Sequence, residues 1–342
     1  LDFPDIAQAY NNYGNILREY GYPKQGIKFL ELAIQLDPTD RLAPANLAMA
    51  HLIMGNCTEG FKQFEARWRF KNHEHILENR NDVRWWGENI YGKTLLVTCE
   101  EGDGDNIQFI RYVRSLSRLG INVIIQTEPN LKSLFENSFT EQVITNVDTP
   151  PHYDYWIPIL SIPHVINLTY ENFIKVENYI TPSKKMVQSW KKILGKKTKP
   201  RIVFYYKGHT KSYPKEKMLE FVSKHREYEW ISIQTNITDE DYELIKQAGA
   251  RHYFEHIKDW HDTAGLYANV DMVIGIDSGA IHLAGSMGIN SVLLLDKYRT
   301  CWRWLLNRDD TPWYPSLKLL RQVEANNYDE QLQRLEEFLP KK

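Results

Sequence analysis

One segment near the C-terminal end joins a buried strand directly to a helix. Apolar residues from 272 to 276 predict the strand and those after 279 predict the helix, with only Asp277, Ser278 and Gly279 between them. The first N–H groups of a helix lack partners within the helix, and the helix dipole favours an anion at that end. In an α/β sheet this position is typical of a nucleotide-diphosphate site. Strand-turn-helix units occur many times in every α/β protein, so the segment needs supporting features elsewhere.

The remaining apolar segments extend this alternation over two parts of the chain. In the first part, strands are predicted over 94–99, 123–126 and 142–145, and the helix after the first strand carries Phe109, Val113 and Leu116 at helical spacing. In the second part, strands are predicted over 201–205, 230–234, 272–276 and 291–295. Predicted helices lie near 131–135, 215–225, 239–248, 260–268, 280–287 and 327–339. This order predicts an α/β fold with two Rossmann-like domains, over 75–185 and 186–342, that face each other across a cleft.

Residues 1–74 are predicted to be helical and repeat with a period of 34. Shifting the sequence by this period places Leu47, Ala48, Gly60 and Phe64 over Tyr13, Gly14, Gly26 and Leu30. Large and small residues at these offsets match the tetratricopeptide pattern, in which the small residues let paired helices approach closely. Two such units are too few to be stable alone, so we expect them to pack on the next domain or on repeats upstream of Leu1.

Composition narrows the classes of partner and compartment. A chain of 342 residues is long enough for two or three domains. Its formal net charge of −2 gives no basic surface, so we expect no nucleic-acid partner. Three cysteines without a Cys-x-x-Cys pair argue against a disulfide framework and favour a reducing cytoplasm. No apolar run approaches the ~18 residues of a transmembrane helix, and the N-terminus lacks a signal-peptide pattern.

Four motifs follow one another in a fixed order along the chain. They are Glu101 to Phe109 (EGDGDNIQF), Lys211 to Pro214 (KSYP), Asp259 to Ala264 (DWHDTA) and Asp277 to Ala284 (DSGAIHLA). With the tail from Trp302 to Pro315, they resemble tetratricopeptide proteins whose catalytic region is similar to glycosyltransferase family 9, the heptosyltransferase-type enzymes. The resemblance covers essentially the whole chain. It implies a GT-B fold, with 75–185 as the acceptor-side domain and 186–342 as the nucleotide-sugar-binding domain. It also implies inverting, metal-independent transfer from a nucleotide-sugar donor to a protein or glycan acceptor, which the helical repeats would recruit.

The resemblance assigns the proton-accepting role to Asp105. Inverting transfer requires a carboxylate within hydrogen-bonding distance of the acceptor hydroxyl. The family's base is the Asp of a Gly-Asp pair after the first strand, which Gly104 and Asp105 match. The glycine loop of Gly102 and Gly104 permits a tight turn and leaves room for substrate. Asp is also a favoured helix N-cap, and one residue can serve both roles.

The resemblance also implies a set of donor-binding residues in the second domain. They are Lys211, Gln234, Asp277, Ser278, Gly279 and His282. Negative charge accumulates on the departing nucleotide diphosphate, and a cation such as Lys211 together with aimed N–H donors stabilises it. His282 either faces the phosphates or is a core histidine bonded to a carbonyl, and the sequence leaves both open. Gln234, at the end of its strand, is a candidate contact for the base or ribose.

The loop after the first strand is unusually acidic. It contains Glu100, Glu101, Asp103 and Asp105, and Asp103 stands where relatives more often carry an apolar residue. Asp103 and Asp105 form an Asp-x-Asp sequence whose oxygens suit a hard cation such as Mg²⁺. We nevertheless expect no metal and no cofactor apart from the nucleotide-sugar co-substrate, because the partner domain carries its own diphosphate site.

Two other functions remain open from the sequence. The first is a non-catalytic scaffold, in which a helical-repeat adaptor is fused to a decayed transferase domain. The joint presence of Asp105, Lys211 and the Asp-Ser-Gly element at 277–279 argues against it, because an inactive site has no physical need for all three. The second is another nucleotide-dependent reaction, such as sugar epimerisation, which requires a different acid-base set in the cleft.

Overall fold

The chain forms two parallel β-sheets behind a helical N-terminal segment. The computed structural model describes residues 4–69, 83–169, 171–172, 178–208, 211–235 and 237–341. The strands of the first sheet are β1 (Thr94–Thr98), β2 (Asn122–Thr127), β3 (Gln142–Thr145) and β4 (Tyr155–Pro158). They pair in the order β3-β2-β1-β4, and every pairing is parallel. Within the described residues, no helix is both long and apolar enough to cross a membrane.

The second sheet is larger and is also parallel. Its strands are β5 (Arg201–Phe204), β6 (Glu229–Ser232), β7 (Arg251–His252), β8 (Met272–Gly275), β9 (Ser291–Leu295) and β10 (Leu317–Arg321). They pair in the order β10-β9-β8-β5-β6-β7. β5 and β8 are buried along their whole length, as expected for central strands covered on both faces. The sequence did not predict β4, β7 or β10, and these strands extend the two predicted sheets at their edges.

The N-terminal segment consists of two helical hairpins. Its helices are α1 (Pro4–Glu19), α2 (Pro23–Leu36), α3 (Leu42–Ile53) and α4 (Cys57–Phe64). A Cβ atom added at Gly26 would lie 2.5 Å from the carbonyl oxygen of Gly14, so the glycines allow α1 and α2 to touch through their backbones. The tetratricopeptide assignment stays a prediction, and the predicted boundary between residues 74 and 75 lies outside the described residues.

The helix predicted after β1 is interrupted. It divides into α5 (Asp103–Phe109), a 3-10 turn (Ile110–Tyr112) and α6 (Val113–Arg118). The Tyr179 hydroxyl donates to the carbonyl of Ile107 at 2.9 Å, and Nε of Arg111 donates to the carbonyl of Gln108 at 2.7 Å. The two side chains thus bind carbonyl groups in the last turn of α5. There the backbone hydrogen bonds change from the α-helical to the 3-10 pattern.

The other helices cover the sheets and follow the predicted alternation. They are α7 (Pro129–Ser138), α8 (Ile162–Val165), α9 (Lys184–Leu194), α10 (Lys215–Lys224), α11 (Asp239–Gln247), α12 (Trp260–Tyr267), α13 (Gly279–Ser286) and α14 (Tyr328–Leu335). The predicted boundary between residues 185 and 186 falls inside α9. This helix packs on α12, where a Cβ at Gly265 would lie 2.7 Å from the Trp190 ring. The two α/β parts meet where α5 contacts α13.

Candidate functional site

The starts of two helices, one from each sheet, meet in the cleft. α5 follows β1 and α13 follows β8, so both helices begin at the carboxyl end of a parallel strand. A Cβ added at Gly104 would lie 3.0 Å from Cα of Gly279 and 3.0 Å from the His282 ring. A Cβ added at Gly279 would lie 2.8 Å from the Trp260 ring. Gly104 thus faces the backbone of the other domain with little room for a side chain, and Gly279 faces the Trp260 ring of its own domain.

Asp105 lies at this junction with both carboxylate oxygens occupied. It is the third residue of α5, and Gly102 rather than Asp105 is the N-cap. Oδ2 accepts a hydrogen bond from the backbone N–H of Gly102 at 3.2 Å, and Oδ1 accepts one from the Arg303 guanidinium. The side chain is 26% exposed, so its carboxylate remains accessible from the cleft.

Arg303 is a functional candidate that the sequence did not predict. It lies in a 3-10 turn, Trp302–Trp304, and its side chain is only 11% exposed. Nε donates to Oε1 of Gln108 at 2.5 Å, and Cζ lies 4.4 Å from the centre of the Trp302 ring. Burial would lower the pKa of Arg303, but nearby groups, of which Asp105 acts most strongly, together outweigh burial and leave that pKa well above its ordinary value. The one sequence signal was an arginine between two tryptophans in the tail motif.

Lys211 and Asp277 form a second cation–carboxylate pair. Nζ of Lys211 donates to Oδ2 of Asp277 at 2.6 Å. Burial is the largest single effect and opposes the charge on each group, but their mutual attraction together with other nearby groups outweighs it, so the pKa of Asp277 is lowered and that of Lys211 is raised. The structure therefore brings together the predicted phosphate-binding lysine and the residue that precedes the helix start.

His282 is buried one turn into α13, with 5% of its surface exposed. Its Nδ1 lies 2.8 Å from the Tyr314 hydroxyl, and its ring stacks on Trp304 with centroids 5.3 Å apart. Burial, reinforced by the nearby Arg303 cation, lowers the pKa of His282 to about 4. The imidazole is therefore neutral at pH 7, and Tyr314 takes the place of the carbonyl partner considered from the sequence. A contact with phosphate stays a prediction.

Gln234 and Ser278 occupy positions beside the Lys211 loop. Gln234 is 2% exposed, and its Oε1 accepts from the backbone N–H groups of Tyr206 and Lys207 at 3.1 and 2.9 Å. Its Nε2 donates to the carbonyl of Lys207 at 2.9 Å. Gln234 thus holds the chain after β5, and its contact with a base or ribose stays a prediction. Ser278 is the N-cap residue of α13, with extended backbone.

A largely apolar groove of about 260 Å³ opens beside the start of α13. Its lining includes Ile233, Ile257, Trp260 and Ala280. Ala280 is the second residue of α13, so the groove and the free N–H groups of that helix are adjacent. The apolar walls suit a flat ring, and the free N–H groups suit an anion.

The acidic loop makes its main contacts with other parts of the protein. Oδ2 of Asp103 accepts from Nε1 of Trp260 and from Nδ2 of Asn130, both at 2.8 Å. Glu100 points away from the cleft into a bidentate pair with Arg67, at 2.8 and 3.1 Å, and both side chains are 4% exposed. Within the described residues, no group of three or more His, Cys, Asp or Glu side chains is placed to hold a metal ion.

Comparison with known proteins supports the fold more strongly than any sequence relationship does. No protein-family model matches the chain. Protein FlbA of Caulobacter vibrioides is 25% identical over 92% of this chain, and the chain spans only 58% of the length of that curated relative.

Two solved structures have the same architecture. A glycosyltransferase family 9 protein from Veillonella parvula matches with a TM-score of 0.54 and 11% identity, over 75% of this chain and 93% of its own. The ADP-heptose lipopolysaccharide heptosyltransferase II of E. coli matches with a TM-score of 0.51 and 11% identity, over 72% of this chain and 98% of its own. At this identity the likeness establishes fold alone. The predicted fold class is confirmed: the chain has the two-domain GT-B architecture of these glycosyltransferases, preceded by helical hairpins.

Proposed function

We propose that the chain is an inverting glycosyltransferase that moves a sugar from a nucleotide-diphosphate donor to a hydroxyl group of a protein or glycan, without a metal ion. One observation carries the proposal. The carboxylate of Asp105 lies at the start of α5, which meets the anion-favouring start of α13 across the cleft. A carboxylate suited to accept a proton and a helix start suited to a diphosphate therefore face each other from the two domains of a GT-B fold.

The donor would lie along the second domain. Its base would occupy the groove beside Trp260, and its diphosphate would bind the N–H groups at the start of α13. Lys211, already paired with Asp277, supplies a cation on the same strand end. Cation and N–H donors become more valuable as the bond to the sugar breaks, because negative charge then grows on the departing diphosphate.

The transfer step uses Asp105 as the base. The oxygen of the acceptor hydroxyl attacks the anomeric carbon from the face opposite the diphosphate, and a new C–O bond forms. The bond from that carbon to the diphosphate oxygen breaks, and its electron pair leaves with the nucleoside diphosphate. The hydroxyl proton passes to the Asp105 carboxylate. Attack on the opposite face inverts the configuration of the anomeric carbon.

The helical segment would recruit the acceptor. Ile6, Tyr13 and Ile16 leave about half of their surface exposed on α1, which gives this helix an apolar outer face. α3 contacts the turn that carries Arg303, so the helical segment lies next to the cleft. An acceptor held on the helices would therefore be close to Asp105.

The test is calorimetric titration of the full chain with ADP, GDP, UDP and CDP, first with a chelator and then with Mg²⁺. The heptosyltransferase neighbour uses an ADP-linked sugar by its name, so ADP is the first ligand. Metal-independent binding of one diphosphate supports the proposal and identifies the base of the donor. Binding only with Mg²⁺ refutes metal independence and points to Asp103 and Asp105. Failure of all four nucleotides would favour the non-catalytic scaffold.

Once the titration has identified the nucleobase of the donor, single-turnover sugar transfer from the matching nucleotide sugar tests the role of Asp105. Asp105→Asn is expected to slow transfer by about a hundredfold or more, as for loss of a general base. Asp329→Asn is the matched control, because Asp329 is exposed and its carboxylate binds Lys217 away from the cleft. Equal transfer by the Asp105 variant and the wild type would remove Asp105 from the mechanism.

A further inference from the structure

Two cation–carboxylate pairs lie in the cleft. Arg303 binds Asp105, and Lys211 binds Asp277. With Gly102 on its other oxygen, the Asp105 carboxylate has a donor on each oxygen. A general base must offer an oxygen to the hydroxyl that it deprotonates. Each carboxylate oxygen can accept a second hydrogen bond, so these bonds do not block Asp105, but the Arg303 bond places a positive charge against the oxygen Oδ1.

We propose, on the basis of the proposed function, that Arg303 is a second diphosphate-binding cation, which exchanges Asp105 for the donor's diphosphate and so frees the base. The exchange is an ion-pair competition. A diphosphate carries more charge than a carboxylate and offers several oxygens to the planar guanidinium fork, which binds such oxygens in pairs.

The surroundings of Arg303 suit such an exchange. The hydrogen bond from Nε to Gln108 and the stacking on Trp302 hold the guanidinium group in place. Its Nη2 atom donates to Asp105. Arg303 also acts electrostatically on Asp277 and on His282, both at the strand-to-helix junction where the diphosphate is expected. Exchange of Asp105 for a diphosphate oxygen would therefore change the partner of Nη2 while Nε keeps Gln108 and the turn stays in place.

This arrangement makes availability of the base depend on occupancy by the donor. Without donor, the Arg303 cation lies against the carboxylate that would take the hydroxyl proton. With donor, the same cation stabilises the departing diphosphate and leaves Asp105 one oxygen for the acceptor. Lys211 and Arg303 would then flank the diphosphate from two sides.

The experiment is a double-mutant cycle on the full chain. Calorimetry measures the affinity of each variant for the nucleoside diphosphate that the titration selects and for the matching nucleoside. Arg303→Gln is expected to weaken the diphosphate by about tenfold or more, as for loss of a charged hydrogen bond, and the nucleoside by less than about twofold. Asp105→Asn is expected to tighten the diphosphate by about threefold to tenfold, because its competing charge is gone. In the Arg303→Gln background, Asp105→Asn should change the affinity little.

The diphosphate affinity of Asp105→Asn distinguishes the proposed exchange of Arg303 between two partners from a purely structural role of Arg303. If Arg303 only positions Asp105, Asp105→Asn leaves diphosphate affinity unchanged, and the proposal is overturned. It is equally overturned if Arg303→Gln binds diphosphate like the wild type. Arg118→Gln, an exposed position on α6, is the matched control for loss of an arginine.

The remaining outcomes are also distinguishable. If Arg303→Gln fails to fold, Arg303→Lys replaces it, because lysine keeps the positive charge but cannot bind two oxygens at once. The diphosphate affinity of Asp105→Asn tests the exchange independently of any Arg303 variant. Absence of nucleotide binding by the wild type would refute the proposed function itself. Normal nucleotide binding by the wild type together with a flat cycle would refute only the role of Arg303.

Discussion

His282 predicts a specific loss of stability on acidification. Burial lowers its pKa to about 4, whereas the unfolded chain titrates near the ordinary value of 6.5. As the pH falls below 6.5, the unfolded state binds a proton that the folded state does not, so the free energy of unfolding decreases until about pH 4. The gap between the two values, at about 1.4 kcal/mol per pKa unit, amounts to about 3 kcal/mol over the window and about 2 kcal/mol between pH 7 and pH 5.

The assay is urea unfolding at pH 7, 6 and 5 for the wild type and His282→Gln. The amide of Gln stays neutral throughout, so the variant should lack this part of the pH dependence even if it is less stable at pH 7. The informative quantity is the difference in pH dependence between the two proteins. His152→Gln, at an exposed histidine, serves as the control and should follow the wild type. Parallel stability curves for wild type and His282→Gln would refute the assignment of this loss to His282.

Three further substitutions test the contacts that hold the site. Glu100→Gln should cost about 1–3 kcal/mol in urea unfolding, because the buried Arg67 keeps its ion pair with Glu65 but loses the charge of its bidentate partner; unchanged stability would contradict this. Gly104→Ala should cost about 1–3 kcal/mol and open the cleft in small-angle scattering, since its Cβ would meet Gly279; an unchanged profile would show that the junction yields. Gly26→Ala should cost a similar amount and increase hydrogen exchange in residues 4–36, whereas unaltered exchange there would contradict close α1–α2 packing.

The sheet cores and the helix starts could be predicted because their signals are local. β1, β8 and β9 are short apolar runs that both faces of a sheet bury, and each prediction matches the structure to within a residue or two. The helix start at Gly279 follows from the change of period beside an Asp-Ser-Gly turn. The family resemblance placed Lys211 and Asp277 at the donor, but it did not predict that the two residues pair with each other.

The rest depends on contacts between distant segments. β4 has only four residues and ends at Pro158. β10 follows a tail in which no helix is predicted, so neither strand stands out by the spacing of its apolar residues. The break after α5 depends on Tyr179 and Arg111, whose side chains bind helix carbonyls. Arg303 lies 198 residues from Asp105, and no local pattern links them. Such residues are recognised only when the fold brings their segments together.

The acidic loop after β1 illustrates this limit and has a consequence for function. Three of its carboxylates bind different parts of the chain: Glu100 binds Arg67 of the helical segment, Asp103 binds Trp260, and Asp105 binds Arg303. These partners lie 33, 157 and 198 residues away, so the charge density that resembled a metal motif in the sequence serves as a junction of segments. Two of the three bonds cross the cleft on which donor binding would act. Release of Asp105 by a diphosphate would therefore loosen one of the bonds that hold the two domains together, whereas the Glu100 pair keeps the helical segment attached.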